Sequence, residues 1–496
     1  MPRAKPGDVI APALILAAVL VAYANALPAS FQYDDWNVIV GDARVQSLAA
    51  WWKSFPGIRP LLKLSFALNH TSGFGPAGFH AVNVGIHALS ALAVFALLSR
   101  VVCRAGGIGD VGVVRGVALA GALLFALHPV QTEAVTYVSG RSSSLSALFS
   151  LGSILCWMRG RERHRPWLVH GASPVLLAAA VAVKEIAVAV PFALALLWAT
   201  DPAFGSGRNL EGAEDQSLEP ATAAKARLPR GPRGWRAFLD LTAGHWLVLA
   251  VAAGAALTSP VYRHLLDVSL QTRSLGENLR TQAHAVAWLA GQLVCFHRLN
   301  ADPMLPAVPR WTAPVAMEAG AIVLLIVTGF MLRRRSPALS FGILWFFLWL
   351  APTNSLLPRL DVANDRQLYL ALVGPAWLAA LAAGRLAGSK RRALRRVATV
   401  GIGGLCVLLA ACTVRRNAVY ATEVGFWRDV TAKAPHNARA FTNLGYAYAL
   451  ACHDGEAEAA FLRALELDPA DRRTAVNLKL LRTRALRPPG TACGSE

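Results

Sequence analysis

The sequence predicts an all-α protein: a polytopic membrane domain of about eleven transmembrane helices, followed by a short C-terminal tetratricopeptide-repeat helical domain. Three observations predict it. Of 496 residues, 55% are hydrophobic and 16% are charged, whereas soluble globular domains carry nearer a quarter charged. Apolar stretches recur along the chain with basic clusters between them. After Asn417 the apolar spacing changes to that of paired amphipathic helices.

The first apolar segment runs from about Val9 to Leu27 and is long enough to cross a bilayer. Arg3 and Lys5 precede it, as in a signal anchor. Ala24-Asn25-Ala26 weakly resembles a cleavage site, but a cut there would separate the next stretch from its span. That stretch, Phe31–Asn37, places Asp34 and Asp35 together at the membrane–water boundary, flanked by Tyr33 and Trp36. Adjacent carboxylates repel and resist dehydration, and the chain has only 29 acidic residues.

Further apolar stretches lie at 79–103, 113–130, 143–158, 167–183, 186–200, 241–259, 315–332, 338–357, 367–386 and 397–414. Basic clusters sit at Arg100/Arg104/Arg115, Arg159–Arg165, 208–236, Arg333–Arg335 and Arg385–Arg396. The net charge of +20 is therefore read as membrane topology, not as a nucleic-acid surface. Placing all five clusters in the cytoplasm puts the N-terminus inside and the C-terminus outside. The segment 281–299 is tempting as a span, but counting it would throw Arg333–Arg335 outside. Residues 260–312 are thus expected to form an outer loop with an interfacial helix. Residues 201–240 are rich in Gly, Pro, Ser and charge, and are expected to be a cytoplasmic linker. The membrane domain is assigned to 1–416.

Residues 417–487 form the soluble end, with 488–496 expected to be a disordered tail. Leu444, Gly445, Tyr448, Ala457, Phe461, Ala464 and Pro469 occupy tetratricopeptide positions, and Pro435 stands 34 residues before Pro469. A half-repeat with Trp427 precedes, and a helix near Arg472–Leu486 follows. About three repeats are needed to bury a core alone. This shorter array is expected to rest on the membrane domain and to meet a polypeptide or partner.

Ionisable groups beside spans are functional by default. Besides the Asp pair there are His128–Glu133 with Gly140-Arg141, then Lys184-Glu185, then Asn364-Asp365-Arg366. Glu133 and Arg141 are eight residues apart and would share a face on one helix. His80, Asn83 and His87 share a face of the second span, as for interhelical hydrogen bonding. The expected topology brings these groups to one outer face. A carboxylate can serve as general base on a hydroxyl. Arg and Lys can hold a leaving phosphate. The combination suits transfer of a group from a lipid-linked phosphate. No Walker loop or other nucleotide fingerprint is present. Asp34 and Asp35 could hold a divalent cation, but spacing fixes no third ligand, so no metal site or cofactor is assigned.

Phe31–Asp35, Arg59-Pro60-Leu61 with Ser65–Asn69, Gly78–Asn83 with His87, His128–Val135 with Gly140-Arg141, Lys184-Glu185, Pro352–Leu356 and Asp365-Arg366 with Tyr369-Leu370 follow in order. Together they resemble the transmembrane-and-tetratricopeptide-repeat O-mannosyltransferases, a family of C-type glycosyltransferases using a polyprenyl-phosphate sugar. Ser142 and Ser143, where that family usually has an acidic residue, and Gln131, in place of a common His, depart from its pattern. The resemblance implies a membrane hexosyltransferase acting on a protein or glycan hydroxyl. It assigns catalysis to Asp34, Asp35 and Glu133, and donor binding to Arg141, Lys184, Glu185, Arg366, Arg59 and His80. The Ala/Arg/Gly-rich composition and short array suggest a bacterial relative in the inner membrane, with an extracytoplasmic repeat domain. Two other readings stand beside it: a non-catalytic membrane scaffold recruiting partners through its repeats, and a lipid-linked oligosaccharide ligase or polymerase.

Overall fold

A computed structural model of the chain describes residues 6–104, 111–200, 234–483 and 486. Every regular element among them is helical. Among the described residues, five helices are long and apolar enough to cross a membrane: Val9–Ala26, Gly75–Cys103, Trp235–Thr258, Ala313–Leu332 and Arg392–Val419. Two bent pairs raise the total to seven: Gly112–Leu127 with Pro129–Val135, and Asp365–Ala371 with Val373–Ala387.

Three of the other apolar stretches expected as spans make shorter helices. Leu168–Val183 and Glu185–Thr200 meet at Lys184, and Pro337–Leu350 is shorter still. The helix Arg141–Glu162 contains six serines, Ser142, Ser143, Ser144, Ser146, Ser150 and Ser153. All six are buried, so this helix belongs to the inside of the bundle. One core runs through it, with Trp157, Trp345, Trp349 and Trp377 fully buried.

Two of the expected segments hold more helix than expected. The linker assigned to 201–240 yields at its end to the helix Trp235–Thr258, while 201–233 and the tail 488–496 lie outside the described residues. The stretch 260–312 contains two consecutive helices, α1 (Pro260–Thr272) and α2 (Leu275–Gln292). Ser269 and Asn278 from these helices, and Arg273 between them, hydrogen-bond backbone carbonyls of the loop at 355–359.

The breaks in the bent pairs position the site. After Leu127, His128 accepts from the Val130 N–H through Nδ1 at 3.2 Å, and Pro129 can donate no helical bond. The chain bends by 50°, makes the single turn α3 (Thr132–Val135), and passes Val138–Gly140 before Arg141 opens the next helix. Glu133 and Arg141 therefore do not share a helix. A Cβ on Gly140 would collide with the Glu133 carbonyl oxygen and come within 2.9 Å of Ala134 Cα. Only glycine permits this fold-back.

Four helices close the chain: α4 (Glu423–Lys433), α5 (Ala438–Leu450), α6 (Asp454–Leu467) and α7 (Arg472–Arg482). Gly445 lets α5 lie against the Phe461 ring of α6, where a Cβ would fall 2.7 Å away. This unit rests on the rest of the chain through an apolar cluster that includes Tyr137 and Trp427, and through charge. Arg416 pairs with Asp429 at 2.5 Å. Lys433 Nζ donates to the Leu299 carbonyl at 2.8 Å, and Arg439 pairs with both Asp302 (2.6 Å) and Asp361 (3.0 Å).

Candidate functional site

The stretch Phe31–Asn37 separates the roles of its two carboxylates. Asp35 is fully buried. Its Oδ2 accepts from the Gln32 N–H at 3.0 Å, and its Oδ1 accepts from the Ser139 N–H (2.7 Å) and hydroxyl (2.5 Å). Burial nonetheless pushes the Asp35 carboxyl up to about 7, because desolvation outweighs these bonds. Asp35 thus staples the turn 32–35 to the segment before Arg141. Asp34 is half-buried. Its N–H donates to Tyr137 Oη at 3.1 Å, while its carboxylate has no hydrogen-bond partner among the described residues. A cation bridging both would have to compete with Ser139 for Asp35. Among the described residues no group of three His, Cys, Asp or Glu is gathered for a metal.

Glu133 and Arg366 meet where the two bent pairs touch. Glu133 Oε2 accepts from the Arg366 N–H at 2.9 Å, and Oε1 lies 3.6 Å from Arg366 Nε. The Arg366 guanidinium stands 5.7 Å from the Tyr137 ring centroid. It also feels the charge of Asp34, so Asp34, Glu133, Tyr137 and Arg366 form one electrostatic group.

Lys184 donates to Ser143 Oγ at 2.7 Å and feels the cations Arg366, Arg59 and Arg359. Arg59, in a left-handed conformation at φ 51, grips Glu185 at 2.7–3.2 Å. Tyr262 of α1 donates to the same carboxylate at 3.2 Å. Arg359 escaped the sequence reading. It belongs to a loop with no hydropathy signal, and only the packing of α1 and α2 brings that loop here.

Two expected donor-binding residues take other positions. Arg141 is fully buried. Its Nε donates to Asn83 Oδ1, Nη1 to the Ser65 carbonyl and Oγ, and Nη2 to Asn69 Oδ1 and the Phe79 carbonyl. Its five N–H groups are used, and Phe66 and Phe79 cover its faces. No donor remains for a phosphate, and the guanidinium acts as an internal strut. His80 is 1% exposed and bonds the Ala29 carbonyl at 3.0 Å, which ties the second span to the end of the first. Asn83 and His87 likewise bond across elements, to Val135, Tyr137 and Val138 carbonyls and to Tyr369 and Ala126.

A cavity of about 300 Å³ opens above Glu133 and Arg366. Tyr33 and Tyr137 line it from one side, the loops at 301–305 and 360–364 from another, and Phe426 and Arg439 from the C-terminal helices. Arg366 thus lines this cavity, and Lys184 feels its charge.

No protein-family model matches the chain. Among curated proteins it is 33% identical over 198 residues to Protein O-mannosyl-transferase Tmtc2 of Drosophila melanogaster, covering 36% of this chain and 20% of that protein. It is 26% and 27% identical, over 474 and 478 residues, to Protein O-mannosyl-transferase TMTC4 of Mus musculus and of Homo sapiens. Those two alignments cover 86% of this chain and 62% of each relative. The chain therefore spans less than two thirds of the length of these relatives, and over most of its own length it is similar to proteins named as O-mannosyl-transferases.

Proposed function

We propose that this chain is a membrane glycosyltransferase that moves a hexose, mannose by its relatives' names, from a polyprenyl-phosphate donor to a hydroxyl of a protein or glycan acceptor. The observation that carries the reading is the Glu133–Arg366 pair on the floor of the cavity, with Asp34 and Lys184 in its field. The names of the relatives support the reaction class.

In this reading Arg366, Lys184 and Arg59 hold the donor phosphate by charge-assisted hydrogen bonds. Asp34, whose carboxylate has no hydrogen-bond partner among the described residues, takes the proton of the acceptor hydroxyl. The hydroxyl oxygen bonds to the sugar C1 as the C1–O bond to phosphate breaks. The bonding pair leaves on the phosphate oxygen, where the cations stabilise it. Glu133 orients Arg366, and Glu185 orients Arg59. The apolar face of α1, with Val261, Leu265 and Val268 exposed, offers the lipid chain a surface beside these cations.

The basic clusters favour a non-cytoplasmic site with the N-terminus inside, and the Ala/Arg/Gly-rich composition with the short array favours a bacterial inner membrane. The four C-terminal helices fit a short tetratricopeptide array through Leu444, Gly445, Phe461 and Pro469, and the Gly445–Phe461 contact is the close crossing such a repeat needs.

The test is hexose release from a polyprenyl-phosphate-mannose donor by the purified full chain. Asp34→Asn and Glu133→Gln should each slow it about 100-fold or more, as for loss of a general base or of an electrostatic partner. Undiminished turnover in both variants would remove the assignment.

A further inference from the structure

The cavity has a polar group that nothing above uses. Tyr33 lines it, and its backbone is held at φ 47, a region that bulky residues seldom adopt. Strain of this kind persists where the surroundings enforce it. Here they are the Asp35 staple on one side and the Trp427 indole on the other, edge-on to the Tyr33 ring with centroids 5.1 Å apart. The Tyr33 hydroxyl has no hydrogen-bond partner among the described residues. It is not sealed off either, unlike the hydroxyls of Tyr23 and Tyr420, which are buried without partners.

Across the cavity, Arg439 of α5 bridges Asp302 and Asp361 with its side chain 41% exposed. Asp361 is exposed to the same extent and keeps acceptor capacity. The lining thus joins the aromatic residues Tyr33, Tyr137 and Phe426 to aliphatic side chains of the loops at 301–305 and 360–364, with a phenol, a guanidinium and a carboxylate among them. Rings flanked by fixed donors and acceptors match a pyranose, with its apolar C–H face and its rim of hydroxyls. The cavity volume lies at the small end of ligand pockets.

We infer that this cavity is a subsite for a single hexosyl ring, that the Tyr33 hydroxyl and Arg439 are its orienting groups, and that the C-terminal helices complete it as a wall. The inference rests on the glycosyltransferase reading for the origin of the ring, but the site itself is defined by its lining. It makes the C-terminal unit part of the reaction chamber, in addition to any partner it meets.

The test uses the full chain in lipid nanodiscs and methyl α-D-mannopyranoside as probe, read by saturation-transfer NMR. The wild type should transfer saturation to the ring protons. Tyr33→Phe keeps the ring on Trp427 and removes only the hydroxyl, and Arg439→Gln alters the opposite wall. Each should weaken binding by roughly three- to tenfold, the worth of a hydrogen bond, with an unchanged melting temperature for Tyr33→Phe. No transfer in the wild type, or equal binding in both variants, overturns the inference. Donor turnover on the same wild-type sample separates the two readings. Turnover without probe binding removes only the subsite, and probe binding without turnover removes only the proposed reaction.

Discussion

The Tyr33 ring meets Trp427 edge-on at 89°, with centroids 5.1 Å apart. One residue follows the first span and the other lies in the C-terminal helices, so this contact joins the two ends of the chain at the cavity. Trp427 is 1% exposed. Replacing it with Ala should cost about 3–5 kcal/mol of local stability. Limited proteolysis should then cut within 423–483 faster than in the wild type, and donor turnover should fall along with it. Unchanged protease resistance would show that contacts other than Trp427, such as those of Arg416, Lys433 and Arg439, suffice to hold the C-terminal unit.

Asp35 predicts a pH dependence of stability. Its folded carboxyl titrates at about 7 because of burial, above its unfolded value. The folded state therefore binds the proton more tightly, and this contribution is fully present below the unfolded pKa. It is lost as the pH rises through about 7. The apparent melting temperature should decline from about pH 4 to pH 7, and Asp35→Asn should flatten that decline. A wild-type profile as flat as the variant's would contradict the burial argument.

Arg141 and Arg366 should respond in opposite ways. Removing the Arg141 guanidinium strands buried acceptors at Asn83, Ser65, Asn69 and Phe79, each worth about 1–3 kcal/mol. Arg141→Lys should therefore yield little folded protein. Arg366→Lys keeps a charge beside Glu133 but loses the fork that a phosphate matches. It should fold normally and turn over slowly. Size-exclusion profiles beside donor release check both, and a well-folded, inactive Arg141→Lys would return Arg141 to the donor site.

Gly140→Ala should act on the site through the backbone. The added methyl meets the Glu133 carbonyl oxygen and Ala134, and overpacking of this sort costs about 1–3 kcal/mol. Glu133 should shift from Arg366, and turnover should fall more than in Gly116→Ala, where a Cβ meets nothing within 4 Å. Equal activity of the two variants would show that the fold-back tolerates the methyl.

The list of unusual ionisable residues was legible in the sequence because charges beside apolar runs are conspicuous. Their roles were less so. Arg141 and Arg366 look alike as cations near span ends, yet one is enclosed by Asn83, Asn69 and two phenylalanines and the other opens on a cavity. The eight-residue spacing of Glu133 and Arg141 suggested a shared helix face, but the break at Pro129 and the fold-back at Gly140 put them on different elements. Arg359, Asp302, Asp361 and Arg439 sit in segments whose local pattern carries no signal of a site.

Hydropathy and residue type by themselves determined a helical protein with membrane-spanning segments, a change of helix pattern after Asn417, and which side chains were costly to place near lipid. Those properties depend on neighbours along the chain. Only the tertiary structure decided which charges are consumed as struts and which remain free, and that the C-terminal helices share a cavity with Glu133 and Arg366. The reason is that burial and hydrogen-bond partners come from residues hundreds of positions away, such as Tyr33 and Trp427, whose meeting no local periodicity encodes.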